Sequence, residues 1–106
     1  MKWPRELLIG KDVWTVRIVP RRTIAADRDA DGDCNVMLRR IRVAKELPEA
    51  KRWSVLLHEL IHASLDTANL NGEVAISLGN LEEFIVERLE VNLYPMLRQC
   101  GWGPEE

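Results

Sequence analysis

Residues 58–62 read His-Glu-Leu-Ile-His, two histidines four positions apart with a glutamate directly after the first. In an α-helix, side chains at i and i+4 lie one turn apart on the same face, so His58 and His62 can reach one metal ion. Zinc accepts imidazole nitrogens and keeps one coordination position open in catalytic sites. Glu59 is placed to take a proton from a water at that position, as a general base. The pattern indicates zinc-assisted hydrolysis.

The third metal ligand has to be a carboxylate or a cysteine, because HELIH already uses both histidines of the chain. The longer pattern HExxHxxGxxH fails, since its last position is Ala68. Further along, acidic residues recur at helical spacing, and at 100° per residue they form one narrow stripe with apolar neighbours. The stripe consists of Glu83, Glu87, Glu90 and Tyr94. Carboxylates beside an apolar interior need a partner such as a metal.

We predict Glu83 as the third ligand of a His₂Glu site. Glu87 is then expected to hold a ligating histidine by its other ring nitrogen, and the two roles exchange if the helix begins later. Structural alternatives stay open, because Asn80 and Glu83 together match a helix capping box. Asp66, one turn after His62, either supports that imidazole or ends its helix. Tyr94 is a weaker candidate for electrophilic assistance.

Two helices are predicted to position these residues. The first runs from about Pro48 to Asp66, because apolar residues recur through it at helical spacing. They are Trp53, Leu56, Leu57, Leu60 and Ile61. Asn71-Gly72 marks a turn, and the second helix is predicted over 81–99, with Asn80 as its N-cap and a kink or early end at Pro95.

The first half of the chain is predicted to form a small, mostly antiparallel sheet. Residues 13–19 are rich in β-branched and aromatic side chains and precede Pro20, which is typical of a strand. A polar loop is expected over 21–33, followed by a second strand region over 36–44. A hairpin around 34–39 is an alternative that would split this region. The order of sheet, helix and helix predicts an α+β fold, with one domain over residues 1–106.

Charge and composition limit the classes of partner. Residues 1–52 carry 13 Lys/Arg against 8 Asp/Glu, whereas residues 53–106 carry 2 against 9. A basic half can bind nucleic acid, but it is more often the solvated side of strands and a helix, so nucleic-acid binding is the minor alternative. No apolar run is long enough for a bilayer, and the first residues lack a signal-peptide pattern. A cytoplasmic protein is expected, with Cys34 and Cys100 as free thiols.

A second metal is considered at residues 27–33, because they match the first half of a calcium loop. Asp27, Asp29 and Asp31 would supply oxygens, and Gly32 the sharp turn. The twelfth position is Leu38 instead of glutamate, and strands are expected on both sides. An Asp/Gly-rich turn is therefore the main interpretation, and Ca²⁺ the minor one.

HELIH on one helix with a glutamate on the next resembles the gluzincin-type metallopeptidases. Together with the RRIRV strand before LLHELIHA and the ending LEEFIVERLEVNLYPMLRQ, it makes residues 11–99 similar to minimal zincin-like proteins of bacteriophage genomes. Those are similar to the SprT-like and ImmA/IrrE peptidase families. The chain lacks the third histidine of SprT-like enzymes and differs from the ImmA pattern around the third glutamate. The resemblance implies a small twisted sheet on the HExxH helix, a peptide or protein substrate along its edge strand, and host cytoplasm as location.

Two main hypotheses follow. In the first, the protein is a zinc metallopeptidase that uses Glu59. In the second, it is a zinc-stabilised binding module, for example a phage factor that engages a host protein or DNA with little or no catalysis. A structural zinc with a closed four-ligand shell is a third. Self-association or a partner that completes the substrate site is left open.

Overall fold

Strands and a short helix come first in the chain, and two long helices come last. The computed structural model describes residues 2–24, 30–67 and 75–104, with 75–80 described by their backbone. Its elements are β1 (Glu6–Ile9), β2 (Asp12–Val19), α1 (Arg21–Ile24), β3 (Gly32–Asn35), β4 (Arg40–Ala44), α2 (Glu49–Thr67) and α3 (Ala75–Gln99). This is a compact α+β fold, as the sequence predicted. None of the helices within these ranges is long and apolar enough to cross a membrane.

The four strands form one sheet in the order β1-β2-β4-β3. The two outer pairs are antiparallel, but β2 and β4 run parallel at the centre. The sheet is therefore mixed: two of its three pairings are antiparallel, as the sequence predicted, and the central pairing of β2 with β4 is parallel. The reason is the connection between them: the chain leaves β2 through α1, returns along β3, and turns again into β4. β3 is left at an edge of the sheet.

Three strand predictions change in the structure. β1 was not expected, and it pairs with β2 across a turn in which Gly10 has φ of 63°. The predicted loop over 21–33 contains α1 and the first residues of β3. The region 36–44 is a strand only from Arg40 onward, because residues 36–39 form the turn of the β3–β4 hairpin. The hairpin around 34–39 is therefore confirmed, but it does not split the region into two strands, because its first strand is Gly32–Asn35.

The core lies between one face of the sheet and α2. Period-two alternation puts Ile41 and Val43 fully inside, while Arg40 and Arg42 stay partly exposed on the other face. Helix α2 contributes Trp53 at the centre of this core. The indole rings of Trp3 and Trp102 pack edge-to-face on Trp53, with centroids 4.9 Å and 5.0 Å away.

Helix α2 begins and ends within one residue of the predicted bounds, and the Pro48 carbonyl accepts the N–H of Arg52 in its first turn. Helix α3 begins at Ala75, so Asn80 lies inside it and the predicted N-cap and capping box are wrong. It also continues through Pro95 to Gln99. Proline removes one backbone hydrogen bond, and at an exposed position water can satisfy the freed carbonyl. The predicted turn at 71–72 lies outside the described residues.

Candidate metal centre

His58 and His62 lie on the face of α2 that borders α3. The sheet-facing side of α2 is apolar and buried, with Trp53, Leu56 and Ala63. The two imidazoles lie at its margin, about four-fifths buried, with ring centroids 5.0 Å apart. The two residues lie one helical turn apart, and their rings meet edge-to-face with an interplanar angle of 61°. Because the apolar face of α2 packs on the sheet, the helix has one orientation about its own axis. In that orientation both imidazole rings point toward α3.

Glu83 of α3 contacts both imidazoles. Its Oε1 lies 2.7 Å from His58 Nε2, and its Oε2 lies 2.9 Å from His62 Nε2. One donor atom from each of the three residues lies within 4.8 Å of the other two. The three side chains that the sequence proposed as ligands are therefore brought together, with Nε2 as the facing atom of both rings.

The donor set fits zinc in kind and in spacing. Two neutral imidazoles and one carboxylate are the ligands of a His₂Glu zinc site. Bonds of about 2.0–2.1 Å in a tetrahedron keep neighbouring donor atoms about 3.3 Å apart, so Glu83 would withdraw by about half an ångström to admit the ion. Glu83 is half exposed, which leaves its side chain room for that movement.

Glu90 holds the other nitrogen of His58. Its Oε1 lies 2.9 Å from His58 Nδ1, and its Oε2 accepts a hydrogen bond of 2.8 Å from the Ser54 hydroxyl. Burial alone would lower the pKa of His58, but the hydrogen bond to Glu90 and the charges of Glu59, Glu83 and Glu90 outweigh it, so that the pKa is raised. A ligating histidine commonly donates its second N–H to such a carboxylate.

The sequence assigned this supporting role to Glu87, and that assignment is wrong. Glu87 is exposed and lines the cavity beside His58, without a hydrogen bond or ion pair to the residues that the structure describes. Glu90 lies two turns beyond Glu83 on the same stripe, where α3 passes the N-terminal half of α2. The crossing of the two helices therefore decides which turn of the stripe meets His58.

His62 has a looser arrangement around its second nitrogen. Nδ1 lies 3.8 Å from Glu82 Oε2, which is an ion-pair distance but no hydrogen bond. The other carboxylate oxygen of Glu82 is buried and has no hydrogen-bond partner among the described residues. Asp66 lines the same cavity as His62 without a hydrogen bond to it, and α2 ends one residue later.

Glu59 is the buried acidic residue of the site, with 7% of its surface exposed. It makes no hydrogen bond to any residue within 2–24, 30–67 or 75–104. Burial, opposed by the charge of His58 and reinforced by Glu83, Asp33 and Glu90, raises the pKa of Glu59 to about 7. A buried carboxylate without a protein partner is costly unless another group completes its hydrogen bonds.

Glu59 faces two cavities, one on each side of the histidines. The first, of about 510 Å³, also borders His58, Glu87, Glu90 and Gly32. The second, of about 260 Å³, borders His62, Cys34 and Val36. Gly32 and Cys34 belong to β3, so the edge strand runs along both cavities. Together these cavities form a cleft between α2, α3 and β3, and the candidate metal site lies along it.

Cys34 and Ser54 were not proposed from the sequence as parts of this site. The Cys34 thiol is held in its neutral form, because burial and then the charges of Glu59, Asp66, Asp33 and Glu82 raise its pKa to about 12. Ser54 lies four residues before His58 on the same helix face, and that spacing could have drawn attention to it. Cys34 gave no comparable local signal, because its position depends on strand pairing.

Two other predictions fare differently. The Tyr94 hydroxyl donates to the Ala50 carbonyl at 3.2 Å, so it supports the start of α2 and not the metal site. Of the three aspartates proposed for calcium, Asp27 and Asp29 lie outside the described residues. Asp31 forms an ion pair of 3.0 Å with Arg21.

Comparisons with protein-family models, curated proteins and solved structures gave no match to this chain.

Proposed function

We propose that this protein is a zinc-dependent metallopeptidase of the zincin-like kind. The observation that carries the proposal is the convergence of His58, His62 and Glu83. Beside them lies the buried residue Glu59, whose carboxylate has no hydrogen-bond partner among the described residues. Each residue has the chemistry that hydrolysis requires. Three protein ligands leave one tetrahedral position for water or substrate, which is the pattern of catalytic zinc.

The chain's own residues divide the work of hydrolysis. Bound zinc would supply a Lewis acid that polarises a substrate carbonyl and acidifies water next to it. Glu59 accepts the proton of the attacking water, and its position directly after His58 keeps its carboxylate at the same turn of α2. Glu59 then delivers the proton to the leaving amine. Glu90, held by Ser54, keeps His58 oriented with Nε2 toward Glu83, where the two residues would hold zinc together with His62.

An extended peptide is the substrate that the cleft favours. β3 lies at the sheet edge, and the Ala44 N–H donates to the Asp31 carbonyl at 2.8 Å where β4 pairs with it. Because alternate residues of an antiparallel strand bond to its partner, the backbone groups of Gly32 and Cys34 point to the open side. A substrate strand can pair with them there. Such pairing would carry its carbonyl groups past Glu59.

Zinc content and a single substitution separate catalysis from simple binding. We expect the purified protein to hold about one zinc per chain, and His58→Ala to lose it. Glu59→Gln should retain zinc but lower the cleavage of a mixed peptide pool by at least about a hundredfold, because the general base is gone. Glu49→Gln, the same change at an exposed position in the first turn of α2, is the matched control and should cleave normally.

Three results would count against the proposal. If the protein holds no metal after incubation with excess zinc, the proposed His₂Glu site does not exist and the peptidase proposal loses its basis. Cleavage that persists in Glu59→Gln shows that another group activates water. A protein that binds zinc but cleaves nothing in the pool, with or without Glu59, favours the zinc-stabilised binding module instead.

A further inference from the structure

Three consecutive apolar side chains protrude from the turn between β3 and β4. Val36 is 44% exposed, Met37 93% and Leu38 61%. We call these residues the hairpin tip. Single exposed apolar residues are common, but a run of three is unfavourable unless it has a use. No residue within the described ranges covers Met37.

The hairpin tip is held in a fixed conformation. Asn35 Oδ1 accepts the N–H of Leu38 at 3.0 Å, and the Arg39 N–H donates to the Val36 carbonyl at 3.2 Å. Arg39 has φ of 48° and forms an ion pair of 3.4 Å with Asp12. These bonds keep the three side chains outward, so their exposure is built into the fold.

The hairpin tip is continuous with the candidate cleft. Val36 lines the same 260 Å³ cavity as Glu59 and His62. It lies two residues beyond Cys34, whose backbone faces the open edge, at the first position of the turn that follows β3. A peptide that pairs with β3 therefore reaches the hairpin tip within two or three residues of its scissile bond.

We propose that the hairpin tip selects substrates that carry a large apolar side chain two or three residues from the bond to be cleaved. This inference rests on the proposed peptidase function for its chemistry, but its binding component is independent of metal. The hairpin tip gives that side chain an apolar surface to cover. The 510 Å³ cavity at the other side of Glu59 is lined by charged groups, including Asp31, Lys51 and Glu87, and does not offer an equivalent surface.

A randomised octapeptide pool tests the selection directly. The full chain with Glu59→Gln, loaded with zinc, is immobilised and incubated with the pool, and the retained peptides are sequenced by mass spectrometry. We expect enrichment of Leu, Ile, Met or Phe at one position. Met37→Ser with Leu38→Ser should abolish it. For one retained peptide, the dissociation constant should rise about tenfold in that variant, since an apolar side chain is left in water.

A matched control removes two other exposed apolar side chains. Ile18 and Met96, 37% and 59% exposed, lie away from the hairpin tip. Ile18 pairs with Val43 at the far end of β4, and Met96 lies two residues after Tyr94, which contacts the start of α2. Ile18→Ser with Met96→Ser should keep the enrichment. A peptide whose enriched residue is replaced by Ser should bind equally well to the native tip and to the Met37/Leu38 variant.

The outcomes distinguish this inference from the function on which it rests. If enrichment depends on the hairpin tip but the native protein cleaves nothing, the peptidase proposal fails and the selection stands. If peptides are cleaved without apolar preference, or if none is retained, the inference is overturned. It is also overturned if sedimentation shows a dimer that the Met37/Leu38 variant cannot form, because a second copy would then cover the tip.

Discussion

Replacement of Glu90 by glutamine tests whether α3 orients His58, the proposed zinc ligand. In the native chain, one oxygen of Glu90 is 2.9 Å from His58 Nδ1 and the other is bonded to Ser54 at 2.8 Å. Glutamine keeps an acceptor oxygen and nearly the same shape but loses the negative charge. The bond to His58 changes from charge-assisted to neutral, which roughly halves its strength.

The expected cost is a weaker hold on zinc. Loss of a supporting partner of a ligating histidine lowers metal affinity by about 10–100-fold. Because glutamine keeps one hydrogen bond, we expect about tenfold for Glu90→Gln, which corresponds to about 1.4 kcal/mol. Glu90→Ala removes the bond entirely and should approach about a hundredfold. Ser54→Ala keeps the negative charge of Glu90 but removes the hydrogen bond that fixes its carboxylate. We expect zinc affinity to fall about two- to fivefold in this variant.

Zinc affinity is measured by competition with a chromophoric chelator at fixed pH and ionic strength. Glu87→Gln is the control, since it removes the same charge from the same helix at an exposed position without a bond to His58. Exposed charges are screened by salt, so its effect should stay below about threefold. Circular dichroism verifies that each variant is folded.

Two results would refute this reasoning. If Glu87→Gln weakens zinc binding as much as Glu90→Gln, net charge and not orientation sets the affinity. If Glu90→Gln binds zinc like the native chain, the hydrogen bond to His58 does not contribute to metal binding.

Two further predictions concern the packing of β3 on the site. A Cβ atom on Gly32 would lie 2.7 Å from Val55 Cγ1 and 2.8 Å from the Arg42 carbonyl oxygen, so Gly32→Ala should destabilise the fold by about 1–3 kcal/mol. Urea unfolding measures this, and an unchanged midpoint would show that β3 can move away without cost. In the metal-free protein at pH 8, iodoacetamide should modify exposed Cys100 well before Cys34, because a pKa of about 12 leaves Cys34 almost no thiolate. Peptide mapping of the alkylated protein decides, and equal rates would contradict the burial of Cys34.

The helix that carries HELIH could be predicted almost to the residue, because its apolar positions and the proline before it act locally. The acidic stripe on the following helix was predictable for the same reason, and it correctly placed Glu83 beside the histidines. The sequence pattern could not show which glutamate of this acidic stripe lies next to His58. That depends on how α2 and α3 cross, and so Glu90 takes the role expected of Glu87.

The start of α3 and the order of the strands could not be predicted from local patterns. A good N-cap at Asn80 is worth only about 1 kcal/mol, too little to decide where a helix begins. The helix extends back to Ala75 instead. The parallel pairing of β2 and β4 depends on the path of the chain through α1 and β3. Cys34 and Gly32 reach Glu59 only through that path.

The packing of three indoles has a consequence for how the fold opens. Trp3 and Trp102 pack on Trp53, so the segment before β1 and the turn after α3 share one contact residue on the helix that bears HELIH. Segments outside helices and strands usually open independently, and their amides exchange fast with solvent. Here, release of either segment exposes the Trp53 ring, against which the other segment also packs. We therefore expect amide exchange in both segments to slow together and to follow the cooperative opening of α2.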